Sequence, residues 1–430
     1  MKRSRILGLA ALGATAALAM TGCSTTAPTE GAGAGGDVEL TFMTFETPAV
    51  TAAFWDKSIA AAEAEVDGVT IKRIVTPDPD RNAYAKKLQA TNQFPDLLAS
   101  ISPKDFEAAG LLKPFDQDWL DENFVLPRGA EINGKTYVPP TNAQVLPLVY
   151  YNKTIFAEND IEVPEDYDGF VEAVGQLKDA GVTPIEIAGA EPWAASMPIV
   201  ALASADVMGG NPDWIKERYE GKTQFVDTEF VDAMQKYVDL IDQGAFSAGA
   251  LSVDFATANS NFLDGKSGMY IMGSWFTGSG YITPEQADNL GAFPLPTEDG
   301  KVVVPFNVGG TTAVSATSKN VDKAMEFAKA WSLAPSSLEP LVEGDGSFPL
   351  MKNLTMDDFD VKVNSVFEAT YPLVTDDNLK VAAFGWVNDD NSLAPGMNDK
   401  FYALSQSFFS NKDVKAQLAT LDTEWDKVAK

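Results

Sequence analysis

The 430-residue chain contains no histidine and only one cysteine, Cys23. Without histidine there is no Ser-His-Asp triad, no Cys-His dyad and no histidine metal site. A lone cysteine cannot close an intramolecular disulfide. Basic side chains are scarce too, at 32 Lys and Arg against 61 Asp and Glu, for a formal charge of −29. Such an excess of carboxylates keeps a chain soluble and disfavours nucleic acid and anionic partners. There is no GxGxxG after a strand, no Walker loop and no EF-hand spacing, so no cofactor or metal is expected. The chemistry left open to an enzyme is paired-carboxylate catalysis of the glycosidase or lyase kind.

Long apolar runs are absent beyond the N-terminus. There, Lys2, Arg3 and Arg5 precede the apolar stretch Ile6 to Met20. That stretch falls short of the roughly 18–20 residues a bilayer needs, so residues 1–22 read as a secretory signal peptide. The MTGC sequence at 20–23 resembles a bacterial lipobox. The resemblance implies cleavage before Cys23, acylation of that cysteine, and a location on the extracytoplasmic face of the cell membrane. Residues 23–36, rich in Gly, Ala, Ser and Thr, read as a flexible linker whose span is on the order of 20 Å.

From residue 37 onward, strand and helix patterns alternate, which predicts an α/β fold with ligands at the carboxyl ends of its strands. Val38, Leu40 and Phe42 mark a first strand, Val69–Val75 a second and Asp96–Ile101 a third. A helix is expected to start at Thr47-Pro48 and reach about Val66. Further helices are expected over 194–208, Val321–Ser332 and a C-terminal segment with Val414, Leu418, Leu421, Trp425 and Val428 on one face. The segment Tyr137 to Phe156 carries Pro139, Pro140 and Pro147. Proline removes a ladder donor, so this segment reads as an extended crossover between two globular units rather than a central strand.

Two tryptophans, Trp331 and Trp425, sit on apolar helical faces and are expected in the core. Trp193, Trp275 and Trp386 each lie beside Pro or Gly where a strand gives way to a loop or helix. An indole there offers an apolar face suited to the C–H face of a sugar, and nearby polar side chains can bond its hydroxyls. The position rule for α/β folds also singles out Glu46, after Phe45, and the Ser100–Asp105 loop containing Ser102.

Three stretches, in order, carry a wider resemblance. They are GKTYVPP…LVYYNKTIF with ENDIEVPEDYDGFVEAVGQLKDAGVTPI, then FLDGKSGMYIMGSW, then GGTTAVSATSKNVDKAMEFAKAW. The chain resembles the extracellular solute-binding proteins of carbohydrate ABC importers, the maltose-binding-protein-like family 1, of the Gram-positive lipoprotein type. The resemblance implies a non-catalytic, monomeric receptor with a type II two-lobed fold, closing on a neutral oligosaccharide and delivering it to membrane permease subunits. It divides the chain into an N-terminal lobe, 37–141 with 307–345, and a C-terminal lobe, 142–306 with 346–430. It implies ligand contacts at Trp193 and Glu191, at Trp275, at Glu46 with Phe45, and at Asn142 and Gln144 of the crossover. Trp386 stands as a further stacking candidate. Ser100 and Ser102 stand where an aromatic and an acid are expected, which argues against a malto-oligosaccharide. A peptide, polyol or other small solute stays open as the ligand, as does a lipid-anchored glycosidase.

Overall fold

The computed structural model describes residues 38–46, 50–77 and 81–429. The signal peptide, Cys23 and the linker lie outside the described residues, as do Thr47 and Pro48. The first alternation becomes the strand Val38–Thr44, which pairs in parallel with Val69–Val75 on one side and Leu97–Ala99 on the other. A strand from far along the chain, Thr312–Ser315, joins antiparallel to Leu97–Ala99, and Leu112–Lys113 completes this five-stranded sheet. Asp96 staples the sheet. Its Oδ2 accepts the Thr41 N–H and hydroxyl at 2.8 and 2.6 Å, and its Oδ1 accepts the Ser318 hydroxyl at 2.6 Å.

The first helix runs Ala52–Glu63, shorter at both ends than the sequence suggests. Thr51, not Thr47, is its cap, and the Thr51 hydroxyl accepts the Phe54 N–H at 3.3 Å. This helix and Val321–Leu333 carry Trp55 and Trp331, whose indoles stack 5.6 Å apart at 10°. Phe42 meets both edge-on.

A second sheet holds Leu290–Phe293, Leu148–Asn152, Ser267–Met272 and Thr183–Glu186, in that spatial order. Every residue of Ser267–Met272 is buried. Helix Tyr167–Asp179 covers it with Phe170, Val174 and Leu177 inward, and Gly181 follows the helix in a left-handed turn. The helix expected over 194–208 is broken. Pro192–Ala195 and Met197–Leu202 are separate, and a wider π-turn spans Ala203–Met208. Each α segment has a proline near its start, a position where the missing N–H costs no helical bond.

The proline-laden crossover resolves into two strands, Asn142–Val145 and Leu148–Asn152, on either side of Pro147. The second belongs to the buried sheet just described. The first is the middle of a third sheet, ordered Phe348–Pro349, Asn142–Val145, Val303–Gly309, Leu379–Ala382. Four segments far apart in sequence thus share one small sheet. The C-terminal helix Val414–Val428 buries Val414, Leu418, Leu421 and Trp425 as its spacing suggests, while Val428 is exposed because it ends the helix.

Trp331 is fully buried and its indole N–H reaches Thr311 Oγ1 at 3.1 Å. Trp331→Ala should therefore lower the unfolding free energy by about 3–5 kcal/mol. Urea unfolding followed by circular dichroism measures this, and a loss under about 1 kcal/mol would contradict its place in the core.

Candidate functional site

The third sheet supplies a polar floor. In its antiparallel pairing Gln144 lies opposite Asn307, and Asn142 opposite Gly309. Directly opposed residues share a face, and alternate residues along a strand return to it. Asn142, Gln144 and Asn307 therefore line one side of the sheet, with Ala143 and Val145 turned to the other. Gly309 leaves room there, since a Cβ would stand 3.2 Å from the Asn142 amide.

One end of this floor opens into a cavity of about 580 Å³. Arg81, Asn82 and the Ser100–Pro103 loop line it from the first sheet, Asn307 to Gly310 from the crossing strand, and Asn388 with Asp389 from beyond. Ser102 is held in place by Asn82, whose Oδ1 accepts the Ser102 N–H at 3.0 Å. Arg81 donates to the Ser100 carbonyl at 2.9 Å and lies 4.4 Å over the Phe45 ring, so its charge is partly engaged by the protein.

The three boundary tryptophans come together. Trp193 lies 6.3 Å from both Trp275 and Trp386, and Trp275 and Trp386 are 5.6 Å apart at 33°. Phe255 packs 5.0 Å from Trp193 and carries the cluster on to the exposed Tyr281 at 5.8 Å. Tyr402 extends it at the other end, 5.5 Å from Trp386. The Trp275 indole lies so close over Gly273 that a Cβ there would meet it at 2.2 Å. The glycine of MGSW is thus a space requirement for the ring's orientation. The Trp386 indole N–H is buried without a partner.

Glu191 is committed to bracing these rings. Its Oε2 accepts the Trp193 indole N–H at 2.9 Å and its Oε1 the Phe255 backbone N–H at 3.0 Å. Glu46 pairs with Arg73 at 2.8 Å, and Phe45 packs on Trp55 at 5.7 Å. Neither touches the tryptophan cluster. Asn142 and Gln144 lie on the floor, and Ser102 lines the cavity. Phe255, Tyr281, Tyr402, Asn307, Asp389 and Asp345 were not singled out from sequence. Asn307 could have been found only through the strand register, and the rings only through their neighbours in space.

Beyond the cluster, the loop after Trp386 reaches the first sheet's side of the molecule. Asp390 accepts the Asn133 N–H at 2.9 Å and donates its own N–H to the Glu131 carbonyl at 2.9 Å. Lys104 bonds the Ser392 hydroxyl. Asp389, 7% exposed, has its carboxyl pushed up to about 6, chiefly by burial, with Asn391 N–H and Lys104 opposing and Asp390 adding.

These features define an α/β fold of the two-lobed solute-binding type, with a polar cavity at the crossing sheet and a cluster of aromatic rings. The chain belongs to the bacterial extracellular solute-binding protein family, whose model matches residues 57–367. This is a family of binding proteins, not of catalysts. Over 290 residues the chain is 26% identical to a maltotriose-binding protein of Pyrococcus abyssi, covering 65% of this chain and 60% of that one. It is 24% identical over 235 residues to a multiple sugar-binding protein of Streptococcus mutans, covering 53% and 54%. The chain thus spans less than two thirds of either relative. Among solved structures, the bacterial solute receptor AcbH aligns with a TM-score of 0.73 at 15% identity, over 92% of this chain and 100% of that one. Apo RafE of Streptococcus pneumoniae aligns at 0.72 and 19%, over 93% and 100%.

The raised Asp389 carboxyl binds its proton more tightly in the folded than in the unfolded state. Its contribution to stability is therefore full below about pH 4 and is lost as pH rises through about 6. Asp389→Asn should remove a pH-dependent loss on the order of 2 kcal/mol between those limits. Thermal denaturation of both proteins from pH 4 to 7 checks this. Parallel melting profiles would contradict it.

Proposed function

We propose that the protein is a receptor that captures a neutral oligosaccharide by closure of two lobes and delivers it to the permease of an ABC importer. The observations that carry this are the gathering of Trp193, Trp275 and Trp386 into one cluster and the amides of Asn142, Gln144 and Asn307 on one face of the crossing sheet. Aromatic faces offer apolar contact to the C–H side of a sugar ring, and amides and carboxylates offer partners for its hydroxyls. Relatives and structural neighbours named for maltotriose, multiple sugars, chitin oligosaccharide and raffinose support the same class.

In this reading the lobes are 37–141 with 307–345 and 142–306 with 346–430, and the third sheet is the hinge between them. A hinge can close on a ligand only if the ligand prefers the closed state, so contacts from both lobes are required. Trp193 and Trp275 stack the ligand. Trp386, in contact with both and with Tyr402, supports them. Asn142, Gln144 and Ser102 bond hydroxyls. Glu191 acts through the rings it braces, and Glu46 through Arg73. Acylated Cys23 would tether the receptor, as a monomer, to the extracytoplasmic membrane face, with residues 24–36 as its leash.

A thermal-shift screen against maltotriose, raffinose, stachyose, chitotriose and galactose tests the ligand class, because a ligand of the folded state raises the melting temperature by mass action. For the sugar with the largest shift, Trp193→Ala and Trp275→Ala should each weaken binding roughly ten- to a hundredfold by calorimetry, on the scale of one lost aromatic contact. Without ligand, Trp193→Ala should melt near the parent, whereas Trp275→Ala, whose ring is 8% exposed, should melt lower yet still fold. Unchanged affinity in both variants would remove the stacking assignment, and new reducing ends on incubation with these sugars would replace the receptor by a glycosidase. Separately, Cys23→Ser should release the protein from cells into the medium. Retention of that variant on the membrane fraction would contradict lipid anchoring.

A further inference from the structure

Asp345 lies between the turn that carries Trp275 and Gln144 of the polar floor. Its loop is seated directly on the turn that carries Trp275. Ser279 donates its N–H to the Glu343 carbonyl at 2.9 Å, and a Cβ on Gly278 would stand 2.3 Å from the Gly344 carbonyl oxygen. Gly346, at φ +52°, passes so near Ser274 that a Cβ would meet its carbonyl oxygen at 2.1 Å. Glycine alone fits there, so the loop is pinned and the Asp345 side chain is placed against the floor. On that side the Gln144 amide donates to Asp345 Oδ2 at 2.8 Å.

The carboxylate is otherwise under-supplied. Its Oδ1 meets no donor among the described residues, and neither Lys nor Arg pairs with it there. Asp96, by contrast, takes three donors. A partly buried carboxylate held by one neutral amide is incompletely compensated for the water it has lost. Burial accordingly pushes Asp345 up to about 6. The phenol of Tyr281, at the exposed end of the ring cluster, is raised first by burial and then by the nearby charge of Asp345. A site of this kind lacks donors, and a sugar brings them.

We propose that Asp345, oriented by Gln144, is a ligand-binding carboxylate that accepts hydrogen bonds from two adjacent hydroxyls of a neutral sugar ring lying against Trp275. The inference rests on the sugar-receptor reading. A carboxylate is acceptor-only with room for several O–H donors, and O–H···O⁻ bonds are the stronger kind. The same group repels anions, so it selects against acidic sugars, and it rewards a ring whose neighbouring hydroxyls can both donate.

The test uses the full-length protein and whichever of maltotriose, raffinose, stachyose, chitotriose and galactose gives the largest thermal shift. Calorimetry at pH 7.5 should find Asp345→Asn weaker by roughly ten- to a hundredfold, the scale of one charge-assisted hydrogen bond. Gln144→Ala should show a smaller loss in the same direction. The pH profile separates ligand contact from support. Wild-type affinity should fall as pH drops through about 6 and Asp345 takes up its proton, and Asp345→Asn should lack that part of the fall. The groups the structure places by Asp345 are Gln144 from the crossing strand and Tyr281 from the turn. Asp389, which titrates in the same range, is controlled by Asp389→Asn, which should keep the Asp345-dependent fall. If Asp345→Asn does not fold, the wild-type and Asp389→Asn profiles carry the test alone. Wild-type binding with affinity within twofold in Asp345→Asn, or a pH profile without the fall, overturns the inference while leaving the receptor intact. Absence of any shift with all five sugars overturns the receptor reading itself.

Discussion

The antiparallel pairing of Asn142–Val145 with Val303–Gly309 is the constraint from which the site follows. Each strand lies at the point where the chain passes between sheets, so their hydrogen bonds set how the five-stranded and the buried four-stranded sheets are joined. The register does more than join them. Placing Gln144 opposite Asn307 and Asn142 opposite Gly309 gathers polar side chains on one face and leaves Ala143 and Val145 for the core. A shift by one residue would turn the amides inward and the apolar residues out, at a cost of several unsatisfied buried groups.

The aromatic cluster depends on that arrangement through a few close approaches. Gly273 lets the Trp275 ring fold over the strand end, and the Asp345 loop rests on the same turn through Gly278 and Gly346. Glu191 ties Trp193 to the start of the Phe255 helix, and the Gly385 carbonyl accepts the Tyr402 hydroxyl beside Trp386. Rings held at both ends lose little further freedom when a ligand stacks on them, so more of the contact energy reaches binding. The loop after Trp386 also bonds Glu131 and Asn133, which links the rings to the side of the molecule carrying the first sheet.

Periodicity made most of the fold legible. Val69–Val75, the Phe170–Leu177 face and the C-terminal helix fall where their spacing puts them, because their apolar faces are long enough to dominate local preference. The first helix starts later than Thr47-Pro48 because Thr51 supplies a cap immediately before the apolar run. The 194–208 segment reads as one helix by composition, yet it breaks at Ser196 and widens after Leu202. Trp193, Trp275 and Trp386 were legible from their strand-end positions beside Pro or Gly. Glu191 stands two residues before Trp193 in sequence, but a sequence does not record that an indole and a backbone N–H already engage both its oxygens. Asp345 carries no periodic signal in a loop of Gly, Asp and Ser, and one acid among 61 Asp and Glu has nothing to mark it. Only the meeting of three segments distant in sequence brings it forward.

The most direct measurement is a crystal structure of the protein with the sugar that gives the largest thermal shift. A pyranose ring against Trp193 or Trp275, with hydroxyls within hydrogen-bond distance of Asp345 and Gln144 and further contacts from the Ser100–Pro103 side, is the expected result. A sugar seated away from the polar floor, or touching residues of one lobe only, would contradict capture by closure over this cleft.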